Sequence, residues 1–298
     1  MVSLQRFVAT LILIIVLAAC SAPQDTSITN PNNASASNPP VDAASDPANE
    51  GLVARVNDVG ITQEAYQYAY NRRRTNSNAA DDNALAQQVL NELIEQELIE
   101  QAAPDVGVTI TDADVEAEIV TQREIAGSEE QWLASLEQND YTADEWFEAQ
   151  REVLITLGVR NVLIEPYLGE IEQVNARHIL VRTEERANEV LDRLEAGEGF
   201  ATLAAEYSLD VTTAEIGGNL GWFARNELYY PSLENRAFDL EIGSVSYVST
   251  PLGYHVVQTL AREVREVELE RLPILSENIF NSWLDTQYRN ANIEVYLQ

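Results

Sequence analysis

Hydrophobic and polar positions follow several different periods along the chain, and each change of period marks a part. Phe7 to Leu17 is an apolar run, with Thr10 as its one polar residue, behind Arg6. It is shorter than the ~20 residues a membrane-spanning helix needs and fits the h-region of a secretory signal. Residues 21–50 carry half of the ten prolines, many Asn, Ser and Ala, and no aromatic residue. Such a stretch buries too little surface to offset its ordering entropy. It predicts a tether with a reach on the order of 30 Å. From Leu52 to Ile61 the pattern alternates and then turns, which predicts a short strand or hairpin. Thr62 opens a helix bearing Tyr66 and Tyr70 that ends in Arg72-Arg73-Arg74, a run that reads as a solvated helix end. Leu85, Val89, Leu93, Ile94 and Leu98 recur at helical spacing, predicting a helix from about Asn83 to Ala103 that Pro104 closes. Thr111 with Asp114, Ser128 with Gln131 and Thr142 with Glu145 repeat one helix-start signal. The region to Leu168 therefore reads as four or five helices, with Trp132, Trp146 and Phe147 as core positions or, alternatively, groove residues.

At Val174 the texture shifts to strands. A strand over Ala176 to Arg182 precedes helices at Glu184 to Glu195 and Phe200 to Tyr207. A glycine-bearing loop from Gly217 to Phe223 follows, then a helix containing Leu233, Ala237, Phe238 and Leu240. Strands are predicted from Val245 to Ser249 and through His255. The order β-α-α-loop-α-β-β describes a small α+β domain. Beyond it, Glu277, Ile279, Phe280, Trp283, Leu284 and Tyr288 mark an amphipathic helix, and Ile293 to Leu297 a short strand. One helix and one strand cannot make a core alone, so they must return to another part of the chain.

Composition sharpens the class. With 45% apolar residues the 298-residue chain can bury a real core. A formal net charge of −31 argues against nucleic acid as a partner, because phosphate binding needs clustered basic side chains. The only cysteine, Cys20, follows Leu17-Ala18-Ala19, a run that resembles a bacterial lipobox. The resemblance implies a signal peptide over residues 1–20, cleavage before Cys20, and thioether lipidation with palmitate-type acyl chains as membrane anchor. The alternative is an ordinary signal peptide that happens to contain a cysteine. Either way the mature chain has no intramolecular disulfide.

The sequence holds two histidines, His178 and His255, each inside a short β-branched and apolar run. A buried imidazole needs one partner for its N–H and another for its lone pair. Two histidines on neighbouring strands satisfy each other, and a structural core pair is the plain account of them. The four segments Ala-Arg-His-Ile-Leu-Val (176–181), Phe-Ala-Thr-Leu-Ala-Ala-Glu-Tyr-Ser-Leu-Asp (200–210), Gly-Gly-Asn-Leu-Gly-Trp-Phe (217–223) and Leu-Gly-Tyr-His-Val-Val (252–257) resemble, in order and spacing, the parvulin family of peptidyl-prolyl cis-trans isomerases. The whole layout is similar to extracytoplasmic foldases of the PrsA/SurA type.

The resemblance implies an α+β fold in which a parvulin domain (173–263) is inserted into a mainly helical chaperone domain made from both chain ends. That outer domain would comprise 51–172 and 264–298, with the last strand beside Val53 to Val56. It places His178, His255 and Asp210 at the catalytic positions. Leu220, Tyr229, Leu233, Phe238 and Thr250 fall at or beside the substrate pocket. Tyr229 and Leu233 stand where methionine and phenylalanine are usual, and Asn219 replaces a common aspartate. An apolar pocket around Asp210 would raise its pKa. The implied activity is isomerisation of X-Pro bonds in unfolded or newly exported proteins, with no metal or cofactor. The implied location is the outer face of the cytoplasmic membrane, held by Cys20, with an outer membrane as the alternative. The alternative is a client-holding chaperone with a slow or inactive parvulin domain. The link after His178 carries no arginine cluster, which argues against phosphoserine-proline selectivity.

Overall fold

The structure, a computed structural model, describes residues 49–76 and 82–297. The signal segment, Cys20 and the tether up to residue 48 lie outside the described residues. A hairpin of β1 (Leu52–Val56) and β2 (Val59–Thr62) opens the fold. It leads into α1 (Gln63–Asn76), α2 (Asp82–Ala102), α3 (Asp112–Ala126), α4 (Glu129–Gln138) and α5 (Ala143–Ile164). The helix starts are where the sequence put them. Thr111 and Thr142 form reciprocal capping boxes with Asp114 and Glu145, and the Ser128 side chain accepts from Gln131 N–H. Pro104 ends α2 in a short 3-10 turn, Ala103–Val106.

The chain ends close this part together. After α9 (Leu272–Asn290), β7 (Ile293–Val295) adds to the hairpin, with Ala54 opposite Val295 and Val56 opposite Ile293. Val53, Ala54 and Val56 share one core with Leu85, Val89, Leu90, Ile94 and Leu98 of α2 and Phe280 and Leu284 of α9. Trp132 is buried, while Trp146 and Phe147 pack half-buried against it. Arg72 corrects one expectation. Its guanidinium lies 4.1 Å from the Tyr68 ring centroid and 3.6 Å from that of Tyr141, so it is no solvated helix end. Tyr68 and Arg72, four apart, share a helix face, and a flat, weakly hydrated guanidinium stacks well on aromatic rings. Arg73 and Arg74 are exposed.

Between α5 and α9 lies a four-stranded antiparallel sheet in the order β4-β3-β6-β5. Its strands are β3 (Glu170–Val181), β4 (Asn219–Phe223), β5 (Val245–Thr250) and β6 (Gly253–Glu266). Helices α6 (Glu184–Glu195), α7 (Phe200–Tyr207) and α8 (Pro231–Asp239) complete the unit. Two corrections apply here. The segment read as a glycine loop contains strand β4, and β3 starts at Glu170 rather than Ala176. Glycines weaken the strand signal of β4, and pairing with β3 imposes the strand nonetheless. The early part of β3 is charged, and it is extended because it pairs with the far end of β6, Glu170 with Glu266. Leu240 caps α8 rather than lying within it.

Side chains alternate across this sheet. Ile179, Val181 and Val256 point to one face, beneath Ala187 and Val190 of α6 and Phe200, Leu203 and Ala204 of α7. Val174, Ala176 and Val257 point to the other, beneath Leu233, Ala237 and Phe238 of α8. His178 lies two residues after Ala176, and His255 two before Val257. Both therefore join the α8 face. Among the described residues no helix is long and apolar enough to cross a membrane.

Candidate active site

His178 pairs across the ladder with Val257 and His255 with Leu180, which makes the two histidines diagonal neighbours on adjacent strands. Their rings are nearly parallel, 16° apart, with centroids separated by 5.1 Å. Nδ1 of His178 lies 2.9 Å from Nδ1 of His255. The outer nitrogens point to different partners. His178 Nε2 is 2.8 Å from Asp210 Oδ2 and 3.1 Å from Thr213 Oγ1, and His255 Nε2 is 2.9 Å from Thr250 Oγ1. The imidazoles are 4% and 2% exposed, so each of these bonds replaces water.

Asp210 reaches the pair because the end of α7 is zipped to β3. Leu209 N–H donates to Leu180 C=O at 2.8 Å, and Leu180 N–H donates to Ser208 Oγ at 3.2 Å. The Asp210 carboxylate then folds back on its own turn. Oδ1 accepts from Thr212 N–H (3.0 Å) and Thr212 Oγ1 (2.6 Å), and Oδ2 accepts from Thr213 Oγ1 (2.7 Å). Burial alone would push the carboxyl up, as the apolar-pocket argument expected. The hydrogen bonds from Thr212, Thr213 and His178 together outweigh it and hold the pKa well below the usual carboxylate range. The expected upward shift is thus reversed, because four donors from three residues converge on a group that sequence reasoning placed against apolar walls.

An ionised Asp210 only accepts, and this fixes the rest of the chain of protons. His178 Nε2–H donates to Asp210, so in a neutral ring His178 Nδ1 is the acceptor. His255 Nδ1–H donates to it, leaving His255 Nε2 to accept from Thr250 O–H. Leu252 N–H in turn donates to Thr250 Oγ1 at 3.2 Å. Every group is satisfied with both rings neutral. A further proton on His178 would set two Nδ1–H groups face to face, and one on His255 Nε2 would make the Thr250 hydroxyl turn from donating to the ring to accepting from it. Burial lowers the His178 pKa against the pull of Asp210, and burial with the neighbouring His178 lowers that of His255 to about 4.

The two close backbone approaches around this network both use glycine. His178 N–H donates to Gly218 C=O at 2.8 Å, and a Cβ on Gly218 would lie 2.0 Å from His178 O. Gly253 sits equally tight against Val181, where a Cβ would come within 2.4 Å of the carbonyl oxygen.

Of the expected pocket residues, Leu233 and Phe238 are buried in the cluster on this face, and Leu220 packs half-buried against them. Thr250 lies at the end of the hydrogen-bond chain. Tyr229 is 72% exposed and outside that cluster. Its neighbour Tyr230 packs against the cluster, with its ring centroid 6.2 Å from that of His255. Sequence reasoning passed over Tyr230, Ser208, Thr212 and Thr213. The run Asp210-Val211-Thr212-Thr213 did carry a signal, since an aspartate followed by hydroxyl residues favours a side-chain-capped turn. Among the described residues no group of three or more His, Cys, Asp or Glu is placed to hold a metal ion.

Comparison with known proteins finds two family models that meet within α5. A SurA-like N-terminal domain model matches residues 4–160, and a PPIC-type PPIase domain model matches residues 160–263. The chain is 36% identical over 201 residues to the foldase protein PrsA of Halalkalibacterium halodurans, covering 62% of this chain and 60% of that one. It is 30% identical over 227 residues to the foldase protein PrsA of Caldanaerobacter subterraneus, covering 70% of this chain and 72% of the relative. The crystal structure of the peptidylprolyl isomerase PrsA from Bacillus anthracis aligns at 24% identity over 67% of this chain and 96% of its own, with a TM-score of 0.44.

Proposed function

The chain belongs to the PrsA foldase family, with a SurA-like N-terminal domain and a PPIC-type peptidyl-prolyl isomerase domain, and from that premise we propose that it isomerises X-Pro bonds in exported client proteins at the site of Asp210, His178, His255 and Thr250. The observation that carries this assignment is the continuous hydrogen-bond chain from Asp210 to Thr250 beside an apolar cluster on the α8 face of the sheet.

Rotation about a peptide bond faces ~18–20 kcal/mol from amide resonance. X-Pro is the one linkage whose cis and trans forms lie close in energy, yet it exchanges in tens to hundreds of seconds. No covalent bond needs to break. The twisted transition state has lost resonance, so its carbonyl oxygen carries less negative charge than in the planar amide. An apolar wall of Leu220 and Tyr230, backed by the buried Leu233 and Phe238, favours that less polar state when it holds the proline ring. A fixed negative charge on Asp210 beside the carbonyl penalises the planar amide more than the twisted one. Both effects are differential binding. Lowering the barrier by ~4 kcal/mol gives about a thousandfold, at 1.36 kcal/mol per tenfold. Asp210 is a poor nucleophile here, since both its oxygens are occupied by donors. The histidine pair holds Asp210 and Thr250 at a set separation, and its role is that of a rigid spacer.

The division at 173 and 263 makes the isomerase an insertion in a chaperone domain formed by 51–172 and 264–298. Lipidation of Cys20 would hold that assembly at the outer face of the cytoplasmic membrane, with the proline-rich segment as a spacer. The intact mass of the N-terminal peptide tests the anchor. For the activity, cis–trans exchange of an unphosphorylated Ala-Pro peptide is followed by NMR with the wild-type chain and Asp210→Ala. Acceleration by the wild type that is lost in the variant is the expected outcome. A folded wild type that gives none overturns the isomerase assignment. The remaining reading is then a client-holding chaperone, scored by suppression of aggregation.

A further inference from the structure

The segment between β4 and α8, residues 224–230, carries Tyr229 and Tyr230 and has no regular structure of its own. Its stiffness comes from two glutamates. Glu234, on α8 and 5% exposed, accepts the backbone N–H groups of Asn226, Glu227 and Leu228 at 2.9, 3.1 and 3.2 Å. Glu227 accepts the N–H of Ala224. Four backbone donors of one short segment are thereby fixed by carboxylates.

That segment is gripped from the helical part of the molecule. Arg271, at the start of α9, places two arms of its guanidinium on the Glu227 carboxylate, Nε at 2.9 Å from Oε1 and Nη2 on Oε2. Its third nitrogen donates to Gln173 Oε1 at 3.3 Å. The buried Gln173 donates in turn to the carbonyls of Arg265 and Glu266 at the end of β6. On the other side, Asn226 Nδ2 donates at 2.8 Å to the hydroxyl of Tyr167, just past α5. Tyr167 itself packs on the cluster of Val267, Leu275 and Ile279 at the junction. The side chains of Glu227 and Arg271 are 9% and 22% exposed. A forked, largely desolvated pair of this kind keeps its geometry where an exposed ion pair does not.

We propose that Arg271, Glu227 and Tyr167 are positioning residues for the isomerase: they set where Tyr230 stands against His255, and so couple the shape of the prolyl pocket to the arrangement of α5 and α9 in the helical part. Both chain crossings into and out of the sheet contribute one holding group, so a shift of either helix is passed to the pocket wall through a segment whose backbone the two carboxylates hold. The inference rests on the isomerase assignment above for its functional consequence, but the clasp itself is testable without it.

The test uses the whole chain, with Arg271→Gln and Tyr167→Phe, on an Ala-Pro tetrapeptide. Arg271→Gln is expected to lower kcat/KM by about tenfold, chiefly through KM, and Tyr167→Phe by about threefold. The ring signals of Tyr230, assigned with Tyr230→Phe, shift or broaden in both variants while those of His178 stay in place. Should Arg271→Gln fail to fold, Tyr167→Phe decides, since it removes one hydroxyl and no packing. Values of kcat/KM within about twofold of wild type in the folded variants overturn the proposal. So does a kinetic loss with unmoved Tyr230 signals, because the residues would then act elsewhere. An inactive wild type would sink the isomerase assignment instead, with the Tyr230 signals still reporting on the clasp.

Discussion

Acidification from about pH 7 to about pH 4.5 loads the hydrogen-bond chain at a known point. His255 has its two nitrogens committed, one donating to His178 and one accepting from Thr250, and the ring is also faced by Tyr230. Its pKa falls from an ordinary 6.5 to about 4 on folding. The native state therefore binds this proton less readily than the unfolded chain. The associated stability is fully present above about pH 6.5 and is lost as pH falls through the interval down to about 4. At about 1.4 kcal/mol per tenfold in proton affinity, the full loss is about 3 kcal/mol. His178, also lowered, acts in the same sense. Glu152 opposes them: burial and the neighbouring Glu100 and Glu148 raise its pKa to about 7, so acid relieves it in the same window. Glu95 and Glu100 are raised by burial as well. Glu152 keeps solvent access, so the measurement is made in a Glu152→Gln background rather than corrected by an assumed energy. Urea unfolding followed by tryptophan fluorescence, at constant high salt to screen the acidic surface, gives the stability at each pH. NMR of the ring carbons gives the histidine midpoints. The expected result is a urea midpoint that falls steadily below about pH 6.5, with His255 still neutral at about pH 5. A flat midpoint over this range, or a His255 ring that titrates near 6.5, would falsify the proton assignment of the whole chain.

Two further outcomes follow from the same geometry. Thr250→Val keeps the β-branched shape but removes the hydroxyl between His255 Nε2 and Leu252 N–H; leaving a buried acceptor unpaired costs ~1–3 kcal/mol, read as a lower urea midpoint with an unchanged slope, and a loss under ~0.5 kcal/mol would show that the bond is not formed in solution. Gly218→Ala drives a Cβ into the carbonyl of His178 at a positive φ of 76°; β4 must then leave β3, with a loss above ~3 kcal/mol, and a variant that melts within a few degrees of wild type would mean that the glycine turn does not dock on the strand.

Much of this molecule was legible without coordinates. The capping pairs at Thr111 and Thr142 start their helices because the side chain and backbone that meet are only three residues apart. The C-terminal strand was placed beside Val53 to Val56 by the resemblance together with a simple physical need: an amphipathic helix and one strand have to be buried somewhere. The two histidines were paired by the same logic of buried donors and acceptors. These features depend on near neighbours, or on a requirement with few solutions, and a single sequence carries both.

What escaped depends on who approaches from afar. Strand β4 is a glycine-rich segment made into a strand by the edge of β3, and the charged start of β3 is extended only because the end of β6 runs beside it. Arg72 looked solvated until Tyr141, from the link between α4 and α5, closed over it. Asp210 looked like a carboxyl against apolar walls until Thr212, Thr213 and His178 converged on it and reversed the direction of its pKa. The chain's own order fixed which residue types stand at the site. Tertiary structure decided which donors meet there, because the local turn of Thr212 and Thr213 saturates Asp210 only once β3 brings His178 to it, and with that the charge state and the single tautomer on which the site's chemistry rests.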